Sequence, residues 1–174
     1  DFGVQGCPPG YYRSPVVVRH DDPRTTLEAF ADARLAYNAP HSQSGFASIY
    51  NMLRETGRWF ENTVLSGGHL RSAQMVAEGL ADIAALDAVT WRLIQRYEPF
   101  AAQLRVLEWT PPTPGLPYIA AKTADKQATF DAIKAAISGL DDADRATLGI
   151  LDLIVIPEED YLAVPNPPTT TLKT

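Results

Sequence analysis

Apolar and polar positions change period repeatedly along the chain, and the changes mark out short strands separated by helices. Residues 14–19 (SPVVVR) hold three consecutive β-branched residues and read as a strand. Residues 33–37 (ARLAY) read as a second, and residues 81–86 (ADIAAL) as a short, fully buried third. Residues 104–109 (LRVLEW) alternate and give a fourth, and residues 116–121 are assigned as another. Between them the period lengthens. Residues 25–30 predict a short helix capped by Thr25 or Thr26, with Glu28 in its first turn. Residues 44–56 place Phe46, Ile49, Tyr50 and Leu53 at helical spacing. Residues 69–79 do the same with Leu70, Ala73, Met75 and Val76, and end at Gly79, which suits a C-cap. A helix opening at residue 89 must stop before Pro99. Residues 126–138 are amphipathic, with Phe130, Ile133, Ala136 and Ile137 inward, and residues 141–153 predict a helix capped by Asp141 or Asp142. Strand–helix alternation of this kind predicts an α/β sheet with crossover helices.

Proline and glycine punctuate this pattern. Pro8, Pro9 and Gly10 mark an irregular entry, and Pro111, Pro112, Pro114 and Pro117 impose a stiff extended segment. Pro165, Pro167 and Pro168 precede a Thr-rich tail, Thr169 to Thr174, expected to fray. The 174 residues are 45% hydrophobic and 21% charged, which is globular composition. Lys+Arg is 15 against Asp+Glu 21, a net charge of -6, which argues against a nucleic-acid partner. One cysteine, Cys7, excludes an internal disulfide and a cysteine metal cluster. No apolar run approaches the ~18 residues of a membrane span. The chain starts at Asp1, in what reads as the tail of a loop. An upstream segment is therefore expected, and the lack of a leader is not read as a cytoplasmic address.

In open α/β sheets, ligands sit beyond the carboxyl ends of strands, against helix N-termini. Three turns occupy such places. Residues 38–45 (NAPHSQSG) offer two hydroxyls, an amide side chain and several backbone N–H groups without intrahelical partners. That is an oxyanion site without Arg or Lys, with Gly45 letting a ligand approach the backbone; the plain alternative is that Ser42 or Ser44 only caps the helix. Residues 66–72 (SGGHLRS) put His69 in a first helical turn, where it can donate to an oxyanion or simply pack. Asp87 ends the third apolar strand, and can accept from a protonated ligand oxygen or simply cap the helix that opens at residue 89, a plain role that Thr90 shares.

These residues carry a resemblance. Tyr12-Arg13-Ser14 before VVV, Ser42-Gln43-Ser44-Gly45 opening a helix, and Gly68-His69 followed by Ser72 come first. Gly79 with Ala81-Asp82-Ile83-Ala84-Ala85-Leu86-Asp87, and then Thr110-Pro111-Pro112-Thr113-Pro114, follow in order. Together, from about Gly10 to about Val164, they resemble the PhnD-like periplasmic substrate-binding proteins of phosphate, phosphite and phosphonate ABC transporters. The resemblance implies an α/β, type II periplasmic binding protein-like fold: one complete lobe plus the returning part of the other, without the N-terminal part of lobe one. Residues 1–16 would be the end of lobe one and a first hinge crossing, 17–105 lobe two, 106–164 the return crossing and the C-terminal part of lobe one, and 165–174 a flexible tail. A second copy of the chain could cover the incomplete lobe.

The resemblance further implies capture rather than chemistry. A small phosphorus oxyanion would be held by Ser42, Gln43 and Ser44, with His69 a further donor, Tyr12 closing from the hinge side, and Asp87 accepting from a proton on the ligand. The partner would be an ABC transporter permease, the location periplasmic or membrane-anchored and extracytoplasmic, and no cofactor or metal is implied. Members that bind an aminoalkyl phosphonate have a carboxylate two residues after Asp87; Val89 stands here, and Gly115 replaces another acidic position. Phosphate, phosphite or a small alkyl phosphonate fits better. Other readings are weaker. A Ser44–His69–Asp87 hydrolase lacks the G-x-S-x-G elbow, and His20, His41 and His69 lack the spacing of a zinc site. A related binder of another small ligand, such as a thiamine precursor or a sulfonate, would place Trp59, Trp91 or Trp109 in its cleft, and the same fold also serves sensory domains.

Overall fold

The computed structural model describes residues 1–168; the Thr-rich tail from Thr169 lies outside the described residues. The chain divides into two compact units, one of Asp1–Tyr12 with Pro112–Val164, the other of Arg13–Pro111 with the described residues from Pro165 onward. It passes between them at Tyr12/Arg13, at Pro111/Pro112 and again at Val164/Pro165. The strands are β1 (Tyr11–Tyr12), β2 (Pro15–Arg19), β3 (Arg34–Tyr37), β4 (Asn62–Leu65), β5 (Ile83–Ala85), β6 (Leu104–Trp109) and β7 (Thr113–Pro114). The α-helices are α1 (Ser48–Leu53), α2 (His69–Ala77), α3 (Ala88–Tyr97), α4 (Lys126–Ser138), α5 (Asp142–Leu148) and α6 (Glu158–Leu162).

The larger unit is a five-stranded sheet in the order β4-β3-β5-β2-β6. β3 lies parallel to both β4 and β5, whereas β2 runs antiparallel to β5 and β6. Side chains alternate across a strand, and here the alternation divides the core in two. Val16, Val18, Leu35, Ile83 and Ala85 face Leu27, Phe30, Ile49, Leu53 and Phe60. Val17, Ala36 and Ala84 face Ala73, Val76, Trp91 and Ile94 of α2 and α3. The sheet is thus covered on both faces, which is why its strands read as continuous apolar runs. Helix α2 ends as the sequence predicts: Gly79 takes φ +72, its N–H donates to Val76, and Leu80 N–H donates to Met75.

Several expectations are corrected. The segment 25–30 is a 3-10 turn, Leu27–Phe30, and Thr26 makes no side-chain cap. Helix 44–56 is three pieces: a π turn over Gln43–Ala47, then α1, then a 3-10 turn over Arg54–Thr56. Strand β4 had no clear pattern because Asn62–Leu65 is a half-exposed edge strand. Residues 116–121 form no strand: Leu116 and Ile119 are 80% and 92% exposed. Helix 141–153 stops at Leu148, where Gly149 takes φ +65.

The smaller unit has little sheet, only β1 against β7. Helix α4 spans 126–138 as predicted, but Ala136 is exposed and Ile137 is its one buried residue. Polar bonds hold the rest. Leu151 N–H donates to the Asp1 carbonyl, the Asp1 amino group donates to the Asp152 carbonyl, Lys134 pairs with Asp152 at 2.5 Å, and Arg145 donates to the carbonyls of Ile137 and Leu151. Tyr11 Oη donates to Asp160 at 2.6 Å.

Candidate functional site

The parallel pairing explains how residues far apart in sequence meet. Tyr37 is level with Leu65, and Ala36 with Ala84, so β4, β3 and β5 all end at one edge of the sheet. Each is followed by one of the three turns singled out in the sequence. The central strand β3 supplies Asn38 to Gly45, β4 supplies Ser66 to His69, and β5 supplies Asp87.

The turn after β3 is a donor array. Ser42 is the N-cap, and its Oγ accepts from Gly45 N–H at 3.1 Å. The first helical bond runs from Ala47 N–H to Ser42, five residues back. An α-helix would have used Phe46 N–H for that bond, so the π turn frees one more backbone donor than an ordinary helix start. Ser48 Oγ donates back to the Ser44 carbonyl at 2.7 Å and fixes the turn.

His69 closes on this turn from α2. Its Nε2 lies 2.9 Å from Ser44 Oγ and 3.4 Å from Asn38 Nδ2. The start of α2 is anchored in turn by Ser66, whose N–H donates to Tyr37 and whose Oγ lies 2.7 Å from the fully buried Ser72 Oγ. Burial lowers the His69 pKa below the usual imidazole value, against the opposing charge of Asp87 and the Ala85 carbonyl. The ring is therefore neutral at neutral pH.

The structure thus brings Ser42, Ser44 and His69 together, with Gln43 in the same turn, and sets Asp87 near enough for its charge to act on His69. Asp87 also caps: its Oδ1 accepts from Thr90 N–H and Thr90 Oγ1. Tyr12 is buried at the end of β1 in the other unit. Gly45 has a different role from the one its sequence position suggests. A Cβ there would lie 2.0 Å from Asn38 Oδ1 and 2.9 Å from His69 Cε1, so the missing side chain makes room for those two residues. Asn38 marks only the start of a turn in the sequence, and its partnership with His69 has no linear signal. Two buried polar atoms of this cluster, Asn38 Oδ1 and Gln43 Nε2, have no hydrogen-bond partner; His69 Nδ1 makes no bond of full geometry, although the Ala85 carbonyl acts on the ring as an acceptor. Among the described residues no group of three His, Cys, Asp or Glu could hold a metal ion.

A family model of the periplasmic substrate-binding protein of phosphonate ABC transporters matches residues 5–156. The chain belongs to this family. The phosphonate-binding family is a transporter's substrate-binding component and not an enzyme. Solved structures agree on the fold. A binding protein component of an ABC phosphonate transporter from Pseudomonas aeruginosa is 22% identical, with a TM-score of 0.66 over 83% of this chain and 51% of that one. PhnD1 from Prochlorococcus marinus, solved with methylphosphonate, is 20% identical, with a TM-score of 0.54 over 59% of this chain and 42% of that one. XAC2383 from Xanthomonas citri, solved with ATP, is 23% identical, with a TM-score of 0.55 over 60% and 44%. The chain spans about half the length of these proteins or less. No curated protein matches it. The fold is that of the type II periplasmic binding proteins.

The three tryptophans are packing residues. Trp91 is buried in the α2–α3 core, Trp59 packs edge-on against Phe46, Tyr50 and Phe60, and Trp109 lies under the Arg13 guanidinium at 4.8 Å.

Proposed function

We propose that the chain captures a phosphorus oxyanion (phosphate, phosphite or a small alkyl phosphonate) for delivery to an ABC transporter permease outside the cytoplasm. The observation that carries this reading is the buried, partnerless Gln43 Nε2 in a turn whose first helical bond starts only at Ala47 N–H. Leaving a buried polar group unpaired costs about 1–3 kcal/mol, so the partnerless Gln43 Nε2 donor supports a ligand that offers acceptor oxygens there.

In this reading the Ser42 and Ser44 hydroxyls, the Gln43 amide and the backbone N–H groups donate to the ligand oxygens. His69 orients Ser44, Asp87 favours a ligand that carries a proton, and Tyr12 is a further proposed ligand residue. Hydrogen bonds to a charged group are worth about 1.5–3 kcal/mol each. Four or five of them, less ordering and desolvation, support micromolar or tighter binding. Val89 in the first turn of α3 offers no charge to an ammonium, which disfavours aminoalkyl phosphonates.

Calorimetric titration with phosphate, phosphite, methylphosphonate, 2-aminoethylphosphonate and sulfate tests the proposal. The expected result is tight binding of one phosphorus oxyanion, at least tenfold weaker in the Ser44→Ala/His69→Ala double variant. Equal affinity in the double variant would remove the site assignment, and no binding of any phosphorus oxyanion would overturn the function.

A further inference from the structure

We infer that Asn38 is a positioning residue of this oxyanion site, one that holds His69 in a single tautomer across the space left by Gly45. The inference rests on the proposed function for its consequence in binding, but its structural half stands alone.

Asn38 follows the last residue of β3, which is paired on both sides by parallel strands, β4 and β5, so its backbone is fixed. Its amide nitrogen faces His69 Nε2 at 3.4 Å. Its amide oxygen fills the position that a side chain at residue 45 would take. An amide N–H2 can only donate, so Nε2 must present its lone pair, and the ring proton resides on Nδ1. With Nε2 an acceptor, the Ser44 hydroxyl 2.9 Å away donates to it. Asn38 and Ser44 then compete for one lone pair. When an oxyanion draws the Ser44 hydroxyl toward itself, the Asn38 amide remains to satisfy Nε2, and the ring need not turn or change its proton. Asp87 is the charged group that acts on the ring, and it sits on a different turn. Asn38 thus lets Ser44 exchange one acceptor for another without disturbing His69.

The test uses the full chain and two variants, Asn38→Asp and Asn38→Leu. Asp keeps the shape but offers only acceptors, so it forces a proton onto Nε2. Long-range 1H–15N spectra of the imidazole should show the Nδ1–H tautomer in the wild type and a shift to Nε2–H or the imidazolium in Asn38→Asp, with a raised His69 pKa. Asn38→Leu should weaken methylphosphonate at least fivefold, with far-UV circular dichroism unchanged. A wild-type Nε2–H tautomer, or an Asn38→Asp spectrum identical to wild type, overturns the inference even if no ligand binds. If the wild type binds no phosphorus oxyanion, the proposed function fails while the tautomer result still decides the role of Asn38. If Asn38→Leu fails to fold, the Asn38→Asp spectrum and its methylphosphonate affinity decide; affinity within twofold of wild type overturns the inference.

Discussion

Replacing Gly45 by alanine should damage the site through packing and not through the backbone. The new Cβ would lie 2.0 Å from Asn38 Oδ1, 2.8 Å from Asn38 Cγ and 2.9 Å from His69 Cε1. Ordinary contact begins near 3.4 Å, so the Asn38 amide must retreat by about 1.4 Å. Overpacking of this kind costs about 1–3 kcal/mol, and the lost bond to His69 adds about 0.5–1.5 kcal/mol. Alanine in a helix recovers about 0.5–1 kcal/mol over glycine. The net expectation is a loss of about 0.5–4 kcal/mol, centred on about 2 kcal/mol. Urea denaturation followed by tryptophan fluorescence measures it cleanly, because Trp59, Trp91 and Trp109 all belong to the larger unit. The decisive comparison is a double-mutant cycle with Asn38→Ala, which removes the atoms in the way. Gly45→Ala should cost at least about 1 kcal/mol less in that background. Additive costs would mean that Gly45 is glycine for some other reason, and the packing argument would be refuted.

Other outcomes follow from the same geometry. Because burial lowers the His69 pKa, the unfolded chain binds the proton more readily. The stabilisation is complete above about pH 6.5 and is lost as pH falls through the lowered folded value; urea midpoints between pH 5 and 8 should therefore fall more steeply on acidification in wild type than in His69→Gln, and parallel curves would refute it. Asp87→Ala should cost about 0.5–2 kcal/mol by uncapping α3, whereas Asp87→Asn keeps the cap and lowers the His69 pKa further, as NMR titration would read. Thr110→Val strands the buried Ser14 N–H, now 2.9 Å from Thr110 Oγ1, and should lower stability by about 1–3 kcal/mol in thermal melts, with Thr110→Ser close to wild type.

What the sequence made legible was governed by burial. The strands at 15–19, 34–37, 83–85 and 104–109 all carry side chains fixed by the core, and their composition shows it. Strand β4 escaped because an edge strand needs no apolar signature. Residues 116–121 misled for the converse reason: Leu116 and Ile119 are apolar without being buried. At the site, Ser42, Ser44, His69 and Asp87 could be named because turns after strands advertise hydroxyls, imidazoles and carboxylates in the linear order. Asn38 could not, since its partner His69 is brought to it only by the parallel pairing of β3 with β4.

That pairing also explains why three individually weak turns amount to one site. Each turn alone is satisfied by an ordinary explanation: Ser42 caps a helix, Asp87 caps another, and Ser66 ties a strand to α2. Capping consumes one acceptor on Ser42 and one oxygen of Asp87, but it uses neither the Ser42 nor the Ser44 hydroxyl hydrogen and not the extra N–H released by the π turn. The residues that cap are thus the residues that hold the donors in place. Among the described residues no Lys or Arg takes part in the cluster's hydrogen bonds, and Asp87, which acts on His69, is an acid. An anion held there would be selected by the direction of neutral donors more than by charge, since a point charge attracts any anion while a hydrogen-bond array fits only one shape and one count of protons.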